Sequence, residues 1–192
     1  KRYPAIVIAV PNVAVKEQAA GLYGQILAEK GYITIVSDCM FFGESEGMPR
    51  QQDIPYYRIE DIRGMIDAIF SFPGVDSQRI YGLGICGGGG YLLSCGQMDK
   101  RLKKIATVSM FNTGVVRREG FQNSQVDTVL KRLHEVASIR EKELNEGTLI
   151  YNANMTEMKP EVGHQLPIEM YREGYEYYVE THFHPNSHSC FL

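Results

Sequence analysis

Tyr81-Gly82-Leu83-Gly84-Ile85-Cys86-Gly87-Gly88-Gly89-Gly90-Tyr91 is the stretch on which the reading of this chain turns. Five of the seven positions from Gly84 to Gly90 are glycine. Glycine costs about 1 kcal/mol relative to alanine inside a helix, so such a run at a helix start demands a steric reason. Gly82-x-Gly84-x-x-Gly87 fits a dinucleotide fingerprint, which requires an acidic residue about 20 positions further on to hold the ribose. The sequence there, Thr107 to Asn112, has no carboxylate. A phosphate-cradling P-loop fails too, because no Gly-Lys-Ser/Thr closes the run. Gly84-Ile85-Cys86-Gly87-Gly88 fits the pattern G-x-nucleophile-x-G of a strand-to-helix elbow, with cysteine in place of serine. The residues two before and two after the nucleophile must be small there, so that strand and helix can pack. The elbow would set Cys86 at the amino end of the next helix, whose partial positive charge favours a thiolate. It would also aim the Gly87 N–H at a developing oxyanion. A buried structural cysteine would leave the glycines unexplained.

Working outward, Ala5 to Val10 is a β-branched run suited to a strand buried on both faces. Residues 15 to 30 carry apolar residues at helical spacing, closed by Gly31. Strands are expected over Tyr32–Val36, Arg79–Gly84 and Lys104–Met110, with helices over Tyr57–Phe70 and after Gly88. The helix over 57–70 is read from Ile59, Ile62, Ile66 and Phe70. This alternation predicts an α/β fold with a doubly wound, mostly parallel sheet, whose ligands sit at the carboxyl ends of the strands. Residues 1–111 read as the core and 112–192 as a polar helical cap.

Composition narrows the function classes. The 192 residues are 44% hydrophobic and 22% charged with a formal net charge of −3, as in an ordinary soluble globular domain. A nucleic-acid binder would gather a basic excess on one face, and none is present. The early apolar run falls short of the roughly 20 residues that cross a bilayer and of the roughly 7–15 of a signal-peptide core with its flanks. The four cysteines are scattered without a C-x-x-C pair, which reads as a reduced, cytoplasmic set. No cofactor is expected, and the expected partner is a small ester-like substrate, with a homo-oligomer also open.

Taken together, these residues resemble the dienelactone hydrolase-like branch of the α/β-hydrolases. Gly84-Ile85-Cys86-Gly87-Gly88 resembles that branch's cysteine elbow, and Asp38 to Ser45 is similar to its D-x-x-x-x-G-x-S turn. Val10-Pro11-Asn12-Val13 onward to Gln18 resembles the loop that supplies the second oxyanion donor. Asp61 through Arg79 is similar to the helix and loop leading to the elbow strand, and His184-Pro185-Asn186-Ser187 to a cap segment of bacterial members. The resemblance implies an ester, thioester or lactone hydrolase with Cys86 as nucleophile. It implies the N–H groups of Gly87 and of Asn12 or Val13 as the oxyanion hole. In dienelactone hydrolases a glutamate near the loop pairs with the cysteine, and the matching place here has none.

The family order is nucleophile, acid, histidine. All five histidines, His134, His164, His182, His184 and His188, fall in the cap region. The acid and base are therefore expected outside the chain as given, with the strand at Lys104–Met110 left as an open apolar edge. A truncated or degenerate fold serving as a non-catalytic interaction module stays open as the alternative. His182, His184, His188 and Cys190 could in principle make a zinc site, but H-x-H alone is weak and no metal is expected. Tyr171, Tyr175, Tyr177 and Tyr178, with Met155, Met158 and Met170, either line a substrate pocket or pack the cap.

Overall fold

The computed structural model describes residues 1–151 and 157–187. Strands β1 (Tyr3–Ala9), β2 (Ile33–Val36), β3 (Val75–Ile85) and β4 (Leu102–Val108) form one parallel sheet in the order β2-β1-β3-β4. Helix α1 (Ala19–Glu29) covers one face, while α2 (Pro55–Phe70) and α3 (Gly87–Met98) share the other. The alternation read from the sequence is the α/β architecture of the chain. Its central strand β1 shows why Ala5 to Val10 is unbroken in its apolarity. Ile6, Ile8 and Val10 pack with Val15, Ala20 and Leu83 on the α1 side, and Ala5, Val7 and Ala9 with Ile62, Ile66 and Leu92 on the other. A strand between two covered faces has no solvent side to leave polar.

Several boundaries differ from expectation: α1 starts at Ala19 and β2 at Ile33, and β4 runs Leu102–Val108 rather than Lys104–Met110. α2 begins at Pro55, which suits a first helical turn because proline has no N–H to lose there. Its buried stripe is Arg58, Ile62, Met65, Ile66 and Ile69, and Phe70 is left exposed. β3 starts at Val75 because Tyr3 pairs with it before the register shifts. At the sheet's far edge, β4 is unpaired on its outer side among the described residues. It buries Leu102 but exposes Lys103, Lys104, Ala106 and Thr107. The edge is therefore less apolar than anticipated, and its lysines disfavour casual pairing.

Beyond β4 the chain is helical: α4 (Thr113–Glu119), α5 (Val129–Glu146), α6 (Pro160–Gly163) and α7 (Glu169–Tyr175), continued by a wider turn over Glu176–Thr181. Asn112 caps α4 by accepting from the Val115 N–H at 3.0 Å. Gly147, at φ +65°, ends α5 in the left-handed conformation. Two contacts tie this region's end to the loops of the sheet. The Gln18 side chain donates to the His182 carbonyl at 2.7 Å. Gly43 and Asn186 exchange hydrogen bonds, N–H to carbonyl and amide to carbonyl, each 3.2 Å. Among the described residues no helix is long and apolar enough to cross a membrane.

Candidate active site

The sheet changes direction of winding between β1 and β3, so the loops leaving their carboxyl ends diverge and open a crevice. Cys86 stands there, between the last residue of β3 and the first of α3, at φ +54° and ψ −130°. A non-glycine residue at positive φ is costly, and such strain persists only where surroundings enforce it. They do so through backbone contact. The Cys86 N–H donates to the Val108 carbonyl at 2.9 Å, and its carbonyl accepts from Gly89 at 3.0 Å. A Cβ at Gly84 would collide with the Gly89 backbone, and one at Gly88 with the carbonyls of Ala9 and Val10. A Cβ at Gly87 would overlap the Asn12 side-chain oxygen. All three glycines singled out in the sequence are thus required by close approach, and Cys86 is half-buried among them.

The loop after β1 meets this turn directly. Asn12 lays its side chain over Gly87, and its Nδ2 donates to Asp53 Oδ2 and reaches the Tyr91 hydroxyl at 3.5 Å. Val13 follows at φ +56°, a second strained position and an unfavourable one for a β-branched residue. Among the described residues, neither the Asn12 nor the Val13 N–H donates to a protein acceptor. Behind the loop lies an ionic cluster that the sequence reading missed. Arg58, 3% exposed, donates to the Val10 and Pro11 carbonyls at 2.7 and 3.2 Å and to Cys39 Sγ at 2.8 Å. Its Nε lies 3.6 Å from Asp53 Oδ1. Burial works against the Arg58 charge, but the Cys39 and Asp53 groups beside it outweigh that and raise its pKa. Burial pushes the Cys39 thiol up to about 12 and raises the Asp61 carboxyl as well. The available signal was spacing: Arg58 lies four residues before Ile62 and eight before Ile66, on the helix's apolar face.

The turn after β2 is a hydrogen-bonded scaffold. Asp38 is buried; it accepts from the Lys16 N–H at 2.7 Å, the Lys16 ammonium at 2.8 Å and the Glu44 N–H at 2.9 Å. These bonds outweigh burial and hold its pKa below the ordinary value. A Cβ at Gly43 would overlap the Asp38 carboxylate. Glu17, Asp38 and Glu44 gather as metal ligands might, but Lys16 Nζ sits on all three at 2.6 to 2.8 Å, in the place a cation would take.

Among the described residues no histidine is hydrogen-bonded to Cys86. His164 pairs with Glu180 at 2.8 Å, His182 stacks on Tyr177 with ring centroids 4.1 Å apart, and His184 accepts from the Asn186 N–H at 3.1 Å. His134 lies on α5. His188, Cys190 and Met155 fall outside the described residues. Tyr175 is a packing residue, buried with its hydroxyl on the Met158 carbonyl at 3.1 Å. Tyr178 is different: burial pushes its phenol up to about 12, and the adjoining Tyr177 and Cys86 add to the shift.

A parallel sheet with a strained residue between β3 and α3, set beside the loop after β1, defines an α/β-hydrolase fold. The α/β hydrolase GrgF of Penicillium sp. sh18 has the same fold, with a TM-score of 0.73 over all of this chain and 62% of that one, at 20% identity. The acetyl xylan esterase (AXE1) family profile matches residues 45–143, just over half of the chain. The chain belongs to that family. The uncharacterized protein YcjY of Escherichia coli K12 is 38% identical over 180 residues, covering 93% of this chain and 57% of YcjY. The crystal structure of the hypothetical protein PA2218 from Pseudomonas aeruginosa aligns with a TM-score of 0.86 at 34% identity, over 97% of this chain and 57% of that one. The chain spans about half the length of the curated relatives it matches.

Proposed function

We propose that Cys86 is the nucleophile of a hydrolase that cleaves a small carboxylic ester, thioester or lactone through an acyl-enzyme, in the manner of the dienelactone hydrolase-like branch. The observation that carries this reading is the conformation of Cys86, held at φ +54° by glycines on both sides. A purely structural cysteine has no use for that strain. In the reaction the Cys86 sulfur attacks the carbonyl carbon, and the carbonyl π pair moves onto oxygen. The N–H groups of Gly87 and of Asn12 or Val13 stabilise that oxyanion at the amino end of α3. Collapse expels the alkoxide or thiolate, which takes up the proton lost by the Cys86 thiol, and leaves an S-acyl cysteine that water cleaves to the carboxylic acid and the free thiol. Residues 1–111 act as the catalytic core and 112–192 as a cap over it, a division supported by the hydrogen bonds of His182 to Gln18 and of Asn186 to Gly43. The family's description as acetyl xylan esterase supports an ester as the substrate class.

A second reading, a non-catalytic interaction module, draws on one observation: among the described residues no histidine is hydrogen-bonded to Cys86. It expects pairing with a second copy or a partner along the outer edge of β4. Intact-mass analysis after incubation with p-nitrophenyl acetate separates the two. The proposal expects one acetyl adduct that disappears in Cys86→Ala, with circular dichroism confirming that the variant is folded. No adduct on the parent chain, or one that survives the substitution, refutes it.

A further inference from the structure

Arg58 occupies a position on α2 where its neighbours on the buried stripe, Ile62, Met65, Ile66 and Ile69, are all apolar. An apolar residue of similar size would fill the space without the cost of desolvating a charge. The guanidinium donates through Nη1 to Cys39 Sγ at 2.8 Å, on the turn after β2, and turns its Nη2 on the loop after β1. It holds the Val10 and Pro11 carbonyls, and Asp53, beside it, accepts from the Asn12 side chain. Three consecutive residues are thereby gripped by one buried ion pair. The loop they belong to continues into Val13 at φ +56° and covers Gly87 with the Asn12 amide. Tyr91, on α3, closes the arrangement, with its ring 5.1 Å from the guanidinium and its hydroxyl facing Asn12.

Two buried acceptors, Asn12 Oδ1 and Asp53 Oδ1, have no hydrogen-bond partner among the described residues. A cluster selected for stability alone would satisfy them or be apolar. We infer that the Asp53–Arg58 pair positions the loop after β1 so that the Asn12 or Val13 N–H faces the oxyanion formed on attack by Cys86. This rests on the Cys86 reading. Asp53 and Arg58 are positioning residues: they touch no substrate and act through the loop.

The test compares two reactions of the same sulfur. Acetylation by p-nitrophenyl acetate builds an oxyanion on attack, which collapses as p-nitrophenolate leaves; alkylation by iodoacetamide displaces iodide at a saturated carbon and builds none. Both rates are read at the Cys86 peptide by mass spectrometry, for the parent chain, Arg58→Met, Arg58→Lys and Asp53→Asn. Losing one oxyanion donor outright costs roughly 100- to 1,000-fold, and misplacing it is expected to slow acetylation about 10- to 100-fold. Alkylation is expected to stay within about two-fold of the parent, and Arg58→Lys to recover part of the loss. Should Arg58→Met fail to fold, Asp53→Asn and Arg58→Lys carry the same comparison. Unchanged acetylation in the variants, or acetylation and alkylation falling together, overturns the inference and leaves the Cys86 reading standing. A parent chain that alkylates at Cys86 but never acetylates overturns both.

Discussion

Residues 3–108 bury β1 on both faces and seat three helices against the sheet, whereas the longest helix of residues 113–187, α5, buries only Glu143. In the first region burial fixes the polar groups. Asp38, Arg58 and Asp53 have side chains at most 3% exposed, and each is bonded to the backbone or side chain of a neighbouring loop. In the second region the polar groups bond short-range neighbours in exposed surroundings, as Arg132 donates to the Arg117 and Arg118 carbonyls and Glu143 accepts from the Ile150 N–H at 2.8 Å. The contrast teaches where site geometry comes from. Loops at the carboxyl ends of the strands hold strained conformations at Val13 and Cys86 because a packed sheet stands behind them. In the second region the positive-φ residues Gln122 and Asn123 lie exposed in the short segment between α4 and α5, with no packed sheet behind them.

The sharpest way to break the first region is Gly84→Ala. The added Cβ would meet the Gly89 backbone, so β3 and α3 have to part rather than a side chain rotate. Overpacking of this kind costs about 3 kcal/mol, and a urea melt should show it as a lower midpoint. Alkylation of Cys86 should change with it, since the elbow can no longer hold its dihedrals. A melt within about 0.5 kcal/mol of the parent would show that the strand and helix are less tightly apposed than the structure has them.

The same division explains what was legible in the sequence. The order of strands and helices, the elbow at Gly84–Gly88 and the turn at Asp38–Ser45 follow from local patterns: apolar runs, glycines, and a carboxylate placed to accept neighbouring N–H groups. Arg58 and Asp53 were not legible, because their role arises from side chains 41 to 48 positions away in sequence meeting Asn12 and Val10. A charged residue four before Ile62 on an apolar helix face was the one local sign. The burial of Gln18, which bonds Val15 and His182 at once, left no sign at all. Nor could the sequence tell that Tyr175 packs, with its hydroxyl on the Met158 carbonyl.

A smaller effect, and a pH-dependent one, is expected from Asp38. Its folded pKa lies below the ordinary carboxylate value, which is about 3.9 in an unfolded chain. The stabilisation is therefore complete above that unfolded value and is lost as pH falls toward the folded one. Asp38→Asn keeps the shape but replaces one acceptor with a donor facing Lys16. It should cost about 2 kcal/mol at pH 7. Urea midpoints measured from about pH 6 down to pH 3 should fall less steeply for the variant than for the parent. Parallel curves would mean that Asp38 contributes nothing through its charge.

The smallest effect is expected on α5, where Leu130, Leu133 and Leu144 are 74%, 61% and 85% exposed. A leucine already in water loses no burial when it becomes polar, so Leu144→Gln should shift stability by no more than about 0.5 kcal/mol. Leucine and glutamine also differ little in helix propensity. A larger fall, growing with protein concentration in the parent but not in the variant, would mean that α5 covers its leucines with a second copy in solution. The exposed helix would then owe its position to association, and the contrast with the self-supporting sheet would become one between folding and assembly.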